Sequence, residues 1–175
     1  ARESGVWLHR NDTGTLGAAE PVLVPFAENS TPLSIAPGDI NGDGAVDLYV
    51  SGYIKNSLVD GQTNFTPDYG GFSKLLLGTP GTDGWRDATA EYGLDSQHNR
   101  FAAVFVDLDN DRDQDLVIAQ DTGRVEMYEN TGSPPLQPLA NPSAYAYPMG
   151  IAAGDLSGDG RVDLYFSNVG HTMPA

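Results

Sequence analysis

The sequence predicts an all-β fold assembled from repeated antiparallel sheet units. Three acidic nine-residue segments recur: DINGDGAVD (Asp39 to Asp47), DLDNDRDQD (Asp107 to Asp115) and DLSGDGRVD (Asp155 to Asp163). Each runs directly into an apolar β-type stretch, LYVS, LVIA or LYFS. The segments start 68 and 48 residues apart, a spacing typical of propellers and solenoids, with an insertion in the longer step. No stretch carries a helical period of useful length; SKLL and DATAEYG are too short to hold a helix against the β pattern.

Taken in order, SGVWLHRNDTG (Ser4 to Gly14) parallels RVEMYENTG (Arg124 to Gly132) and reads as the third strand of a preceding repeat. LSIAPG leads into the first acidic loop and DLYVSGYI leaves it. FSKLLLG (Phe72 to Gly78) is then the third strand, and GWRDATAEYGL (Gly84 to Leu94) the outer one. The polar stretch from Lys55 to Gly71 reads as the insertion. FAAVFV (Phe101 to Val106) and DLVIA (Asp115 to Ala119) flank the second loop. A turn at Asp121-Thr122-Gly123 leads to the alternating RVEMYEN (Arg124 to Asn130), and Asn130 to Pro142 has room for a weak outer strand. The chain stops just after DLYFSNVG, the second strand of a further repeat.

The chain of 175 residues is long enough for a real core. It carries 24 acidic against 9 basic residues, a formal net charge of −15, and the three loops hold eleven of those acids. Three divalent cations would bring −15 only to −9. That excess argues against nucleic acid, whose phosphates need a basic face, and against an anionic membrane surface. No apolar run approaches the roughly 18 residues of a membrane span. There is no cysteine, so no disulfide contributes and the redox compartment cannot be read. The 21 glycines and 12 prolines are scattered, as many tight turns require.

Oxygen side chains stand at loop positions 1, 3, 5 and 9 in every copy: Asp39, Asn41, Asp43 and Asp47; Asp107, Asp109, Asp111 and Asp115; Asp155, Ser157, Asp159 and Asp163. This spacing lets a short loop wrap a hard cation, and Ca²⁺ accepts six to eight oxygens in flexible geometry. Solvated Asp-Gly turns have no reason to keep those four positions in three copies. An EF-hand is excluded, because it needs a bidentate Glu at position 12 and a following helix. Here position 12 is Val50, Ile118 or Phe166, inside β-type runs.

GDINGDGAVDLYVSG and GDLSGDGRVDLYFSN resemble FG-GAP, or VCBS, repeats of the integrin α-type β-propeller. WLHRNDTG and RDATAEYGLD are similar to segments of the cartilage acidic protein-like (ASPIC/UnbV-associated) secreted proteins. The resemblance implies four-stranded antiparallel blades, present here as about three blade equivalents of a partial propeller. In this reading 1–30 ends a preceding blade, 31–96 is a blade with an insertion at 55–71, 97–145 is a blade, and 146–175 begins another. Propellers typically close with four to eight blades. The segment is therefore expected to be part of a longer protein or to be covered by a partner, and to aggregate when isolated. The resemblance also implies about three structural Ca²⁺, one in each loop, with the backbone carbonyls of Ala45, Asp113 and Arg161 at position 7 completing the ligand sets. Position 6 favours glycine at a sharp turn, as at Gly44 and Gly160; Arg112 departs from it, at a strain of roughly 1–2 kcal/mol.

Other chemistry is poorly signalled. His9, His98 and His171 are far apart and have no metal-ligand spacing. There is no G-x-S-x-G, no Cys nucleophile and no phosphate loop. Ionised, metal-bound carboxylates suit general acid catalysis poorly, so no catalytic residue is expected. N-x-T sequons stand at Asn11, Asn29 and Asn64. Tyr145 and Tyr147 are the expected exposed aromatic pair; Trp7, Tyr49, Tyr53, Trp85, Tyr128 and Tyr165 are expected to pack within the blades. The expected function is a calcium-stabilised, secreted (extracellular or periplasmic) scaffold that binds a protein partner or flanking blades. A glycan-binding propeller and a non-catalytic region of a secreted polysaccharide-active enzyme are the alternatives.

Overall fold

A computed structural model describes residues 4–23, 25–27, 30–53, 70–121, 123–140 and 147–168. These residues are all-β, with antiparallel pairing throughout and no helix among them. The chain opens with β1 (Val6–Leu8), a small hairpin of β2 (Asn11–Asp12) and β3 (Thr15–Leu16), and β4 (Glu20–Leu23), which pairs back onto β1. There follow β5 (Pro32–Gly38), β6 (Asp47–Gly52), β7 (Gly71–Phe72), β8 (Lys74–Gly78), β9 (Trp85–Asp87) and β10 (Gln97–His98). The remaining strands are β11 (Arg100–Val106), β12 (Asp115–Gln120), β13 (Glu126–Glu129), β14 (Gln137–Pro138), β15 (Pro148–Gly154) and β16 (Asp163–Asn168).

Two four-stranded meanders dominate, β5-β6-β8-β9 and β11-β12-β13-β14, and β15-β16 repeats the first pair of each. Register is equivalent in all three: Gly38 faces Asp47, Val106 faces Asp115 and Gly154 faces Asp163. An acidic loop therefore closes the first hairpin of each sheet. The small pair β7-β10 ties the segment before β8 to the segment before β11.

Successive side chains of a strand point to opposite faces of its sheet. A sheet covered on both faces must then carry consecutive apolar residues, as β6 does at Leu48, Tyr49 and Val50 and β8 at Leu75, Leu76 and Leu77. Tyr49, Leu75 and Leu77 face Phe105, Leu116 and Ile118 of the second meander, in a core that also takes Ile40, Tyr92, Leu94 and Leu136. Val50 and Leu76 face the other way, onto Val6 and Phe26. Fully burying side chains such as these contributes about 1.5–3 kcal/mol each.

The outer strand of the first meander is shorter than the sequence suggests. It ends at Asp87, and Ala88 to Leu94 turns back, with the Tyr92 N–H donating to the Ala88 carbonyl at 3.0 Å and Leu94 N–H to Thr89 at 2.9 Å. The reason is tertiary: the turn places Ala88, Tyr92 and Leu94 in the core between the meanders. The third strand likewise starts at Lys74, because Phe72 pairs with Gln97 instead. Most of the expected insertion, 55–69, lies outside the described residues; Gly71 at its end pairs with His98. The exposed aromatics also differ from expectation. Tyr147 is half-buried, Tyr145 lies outside the described residues, and Trp7 and Tyr165, expected to pack, are exposed at 41% each.

At the ends of the strands remote from the acidic loops lies a buried ionic network. The Arg100 side chain is fully buried; its Nε donates to Glu126 at 3.0 Å, and its other nitrogens donate to the carbonyl and hydroxyl of Ser96 at 2.8 Å each. Gln120 also donates to Glu126, and His98 lies 3.8 Å from it. Nearby, the Tyr53 hydroxyl donates to the buried Asp121 at 2.8 Å. Of the other histidines, His9 is exposed, with Nδ1 3.0 Å from the Gly17 carbonyl, and His171 lies outside the described residues.

Candidate metal centres

The three loops share one set of internal hydrogen bonds. The position-9 carboxylate accepts from the position-2 N–H: Ile40 to Asp47 at 2.9 Å, Leu108 to Asp115 at 2.8 Å, Leu156 to Asp163 at 2.8 Å. The position-6 N–H donates to the position-1 carboxylate: Gly44 to Asp39 at 2.9 Å, Arg112 to Asp107 at 3.0 Å, Gly160 to Asp155 at 2.8 Å. The position-7 N–H donates to position 5: Ala45 to Asp43 at 2.8 Å, Asp113 to Asp111 at 2.8 Å, Arg161 to Asp159 at 2.9 Å. Asn41 and Asp109, at position 3, accept from Asp43 and Asp111. These bonds fold each loop so that its side-chain oxygens turn inward. Loop three differs at position 3, where the Ser157 N–H donates to Asp163 at 3.1 Å.

The loops bend through left-handed residues at two positions. Position 6 is Gly44, Arg112 or Gly160, with φ of 82°, 83° and 83°. Position 4 is Gly42, Asn110 or Gly158, with φ of 68°, 66° and 75°. The position-4 requirement is visible in the sequence once sought, since Gly and Asn are the residues that enter this region most readily. Arg112 holds a conformation that costs a residue with a Cβ roughly 1–2 kcal/mol. Arg112→Gly relieves it but frees the unfolded chain by about 0.4–1 kcal/mol. A net gain of about 0.5–1 kcal/mol in a denaturant melt is expected, and an unchanged or lower midpoint would show that the strain is absorbed elsewhere.

The position-9 carboxylates are set deepest. Asp47 and Asp115 are 0% and 1% exposed, and an N–H at the end of the third strand or just after it reaches each, Gly78 to Asp47 and Asn130 to Asp115, both at 2.8 Å. Burial pushes the Asp47 carboxyl above its ordinary value, against the Gly78 and Ile40 N–H groups, with Asp43 and Asp39 adding to the rise. Asp115 is raised in the same way, against Asn130 and Leu108, with Asp109 and Asp111 adding. Asp155 is exposed, and the Gly160 N–H, with those of Gly158 and Asp159 and the Ser157 side chain, holds its carboxyl low.

Among the described residues, carboxylates converge most closely in loop two. Oxygens of Asp107, Asp109 and Asp115 all lie within 4.8 Å of one another. One Asp107 oxygen is buried with no hydrogen-bond partner. An orphaned carboxylate oxygen beside two more carboxylates is costly without a cation. An all-oxygen set of this kind suits a hard ion such as Ca²⁺. Asp111 stands outside this convergence, its Oδ1 taken by the Asp113 N–H.

No curated protein matches the chain. A family model described as FG-GAP-like repeat matches residues 1–50 and 107–166. The matched regions contain all three acidic loops and the start of the strand that follows each, so fold, repeat and sequence agree that the chain belongs to the FG-GAP-like repeat family.

Proposed function

We propose that the chain is a calcium-stabilised, extracellular or periplasmic scaffold whose role is binding, with no catalysis of its own. The carrying observation is the buried, unpartnered oxygen of Asp107, whose carboxylate converges with those of Asp109 and Asp115. In this reading loop one holds its ion with Asp39, Asn41, Asp43, Asp47 and the Ala45 carbonyl. Loop two uses Asp107, Asp109, Asp111, Asp115 and the Asp113 carbonyl. Loop three uses Asp155, Ser157, Asp159, Asp163 and the Arg161 carbonyl. The ion's chemistry is charge neutralisation: it turns a ring of mutually repelling carboxylates into a rigid corner. Membership of a repeat family built of such units supports binding of a protein partner or of further blades.

Native mass spectrometry of the chain in calcium tests the reading. About three Ca²⁺ are expected, and an unchanged mass would defeat it. Loop three is expected to be the weakest, because Ser157 is short and Asp163 is only half-buried. Single substitutions Asp39→Ala, Asp107→Ala and Asp155→Ala should each remove one ion; loss of the tightest phase with Asp155→Ala would reverse the ranking.

A further inference from the structure

Loops one and two are joined by hydrogen bonds that belong to neither loop's own ligand cage. Gln114, at position 8 of loop two, accepts the Asp39 N–H of loop one on its side-chain oxygen at 2.7 Å. Asn130, just after β13 and 3% exposed, donates from Nδ2 to the Ile40 carbonyl of loop one at 2.7 Å. The same Nδ2 is 3.2 Å from the Gln114 carbonyl of loop two, and the Asn130 N–H holds Asp115. The loops are also in steric contact. A Cβ on Gly38 would lie 2.4 Å from Phe105 and 2.5 Å from the Gln114 side-chain oxygen. Only glycine lets the backbone before Asp39 approach this closely.

We infer that Gln114 and Asn130 are positioning residues that couple the two loops, so that a cation in loop two pre-organises loop one and the converse. The inference rests on the calcium reading above. Gln114 lies between the Asp113 carbonyl and the Asp115 carboxylate, both assigned to the loop-two ion. Fixing those two groups fixes Gln114, and through it the N–H of Asp39, whose carboxylate begins loop one. Coupling between binding sites is reciprocal by thermodynamic necessity. Loop three lacks the Gln114 bridge: its position 8 is Val162, which has no polar side-chain atom to reach back to Asp107. The counterpart of Asn130 beside loop one is Gly78, which holds Asp47 through its N–H and has no side chain to extend further. Among the described residues the coupling is therefore confined to one pair, and loop three serves as an internal control.

The test is a CaCl₂ titration of the ¹⁵N-labelled full chain, first stripped of calcium. The Gly44 amide, bonded to Asp39, reports loop one, and the Gly160 amide, bonded to Asp155, reports loop three. Disabling loop two with Asp109→Ala should raise the Gly44 midpoint by about fivefold or more and leave that of Gly160 within about twofold. In a Gln114→Leu background, where only the Asn130 bond to Ile40 still joins the loops, Asp109→Ala should move Gly44 by clearly less, whereas Gln114→Glu, which keeps the acceptor, should preserve the full dependence. Gln114→Leu alone should also raise the Gly44 midpoint, which keeps the test valid should Asp109→Ala fail to fold. A Gly44 midpoint indifferent to loop two, or a shift undiminished without the Gln114 acceptor, overturns the coupling while leaving the calcium reading intact. Absence of any calcium response at Gly44 and Gly160 overturns both.

Discussion

Replacing Glu126 by alanine is expected to destabilise the folded chain by about 3–5 kcal/mol, because it strands a buried charge. Arg100 is fully buried, and Glu126 is the carboxylate its guanidinium touches, at 3.0 Å. Ser96 would still accept two hydrogen bonds, but no neutral acceptor restores the lost charge. Removing both charges should cost less than removing one. The double variant Arg100→Met/Glu126→Met is therefore expected to be markedly more stable than Glu126→Ala. Denaturant melts of the three proteins decide this. If Glu126→Ala loses less than about 1 kcal/mol, water reaches Arg100 and the pair is not a dry one.

The second large effect is calcium dependence and its reversal by acid. A ligand at a hundred times its dissociation constant stabilises by about 2.7 kcal/mol per independent site. For a chain of this size about 1 kcal/mol moves the melting temperature by about 2–4 °C. One loop filled at that level is thus expected to raise the melting temperature by about 5–10 °C over the stripped protein. Acid should narrow the gap from both sides. Asp47 and Asp115 have folded values raised by burial. Their contribution to the stripped chain is fully present below the unfolded value of about 4 and is lost as pH rises through the folded value. Stripped protein should therefore gain from these two groups on mild acidification, whereas loaded protein loses calcium to protons. Asp155 has the opposite sign: its folded value is lowered, so its contribution is present above about pH 4 and is lost as pH falls through the folded value. Melts of stripped and loaded protein at pH 7.5 and 5 measure the gap. A gap that widens at pH 5 would mean that Asp47 and Asp115 are not the groups in competition with the ion.

The repeat, its strands and its loops could be read from the residues because they are local. Four oxygens in nine residues, then a β-branched or aromatic run, specify a turn and a strand without help from elsewhere. Position 6 was visible for the same reason, and the Gly, Asn, Gly series at position 4 was equally local. What the linear chain did not show are the features made by contact between units. The outer strand stops at Asp87 because Ala88, Tyr92 and Leu94 gain more from the core than from further pairing. Gln114 and Asn130 look like ordinary polar loop residues until the two meanders pack and bring Asp39 and Ile40 beside them. Arg100 and Glu126 are 26 residues apart, with nothing in either neighbourhood to mark them as partners. Side-chain period and loop chemistry act over a few residues, and so they are written in the order of the chain. Burial, charge pairing and the join between loops depend on which surfaces meet, and that is a property of the packed sheets alone.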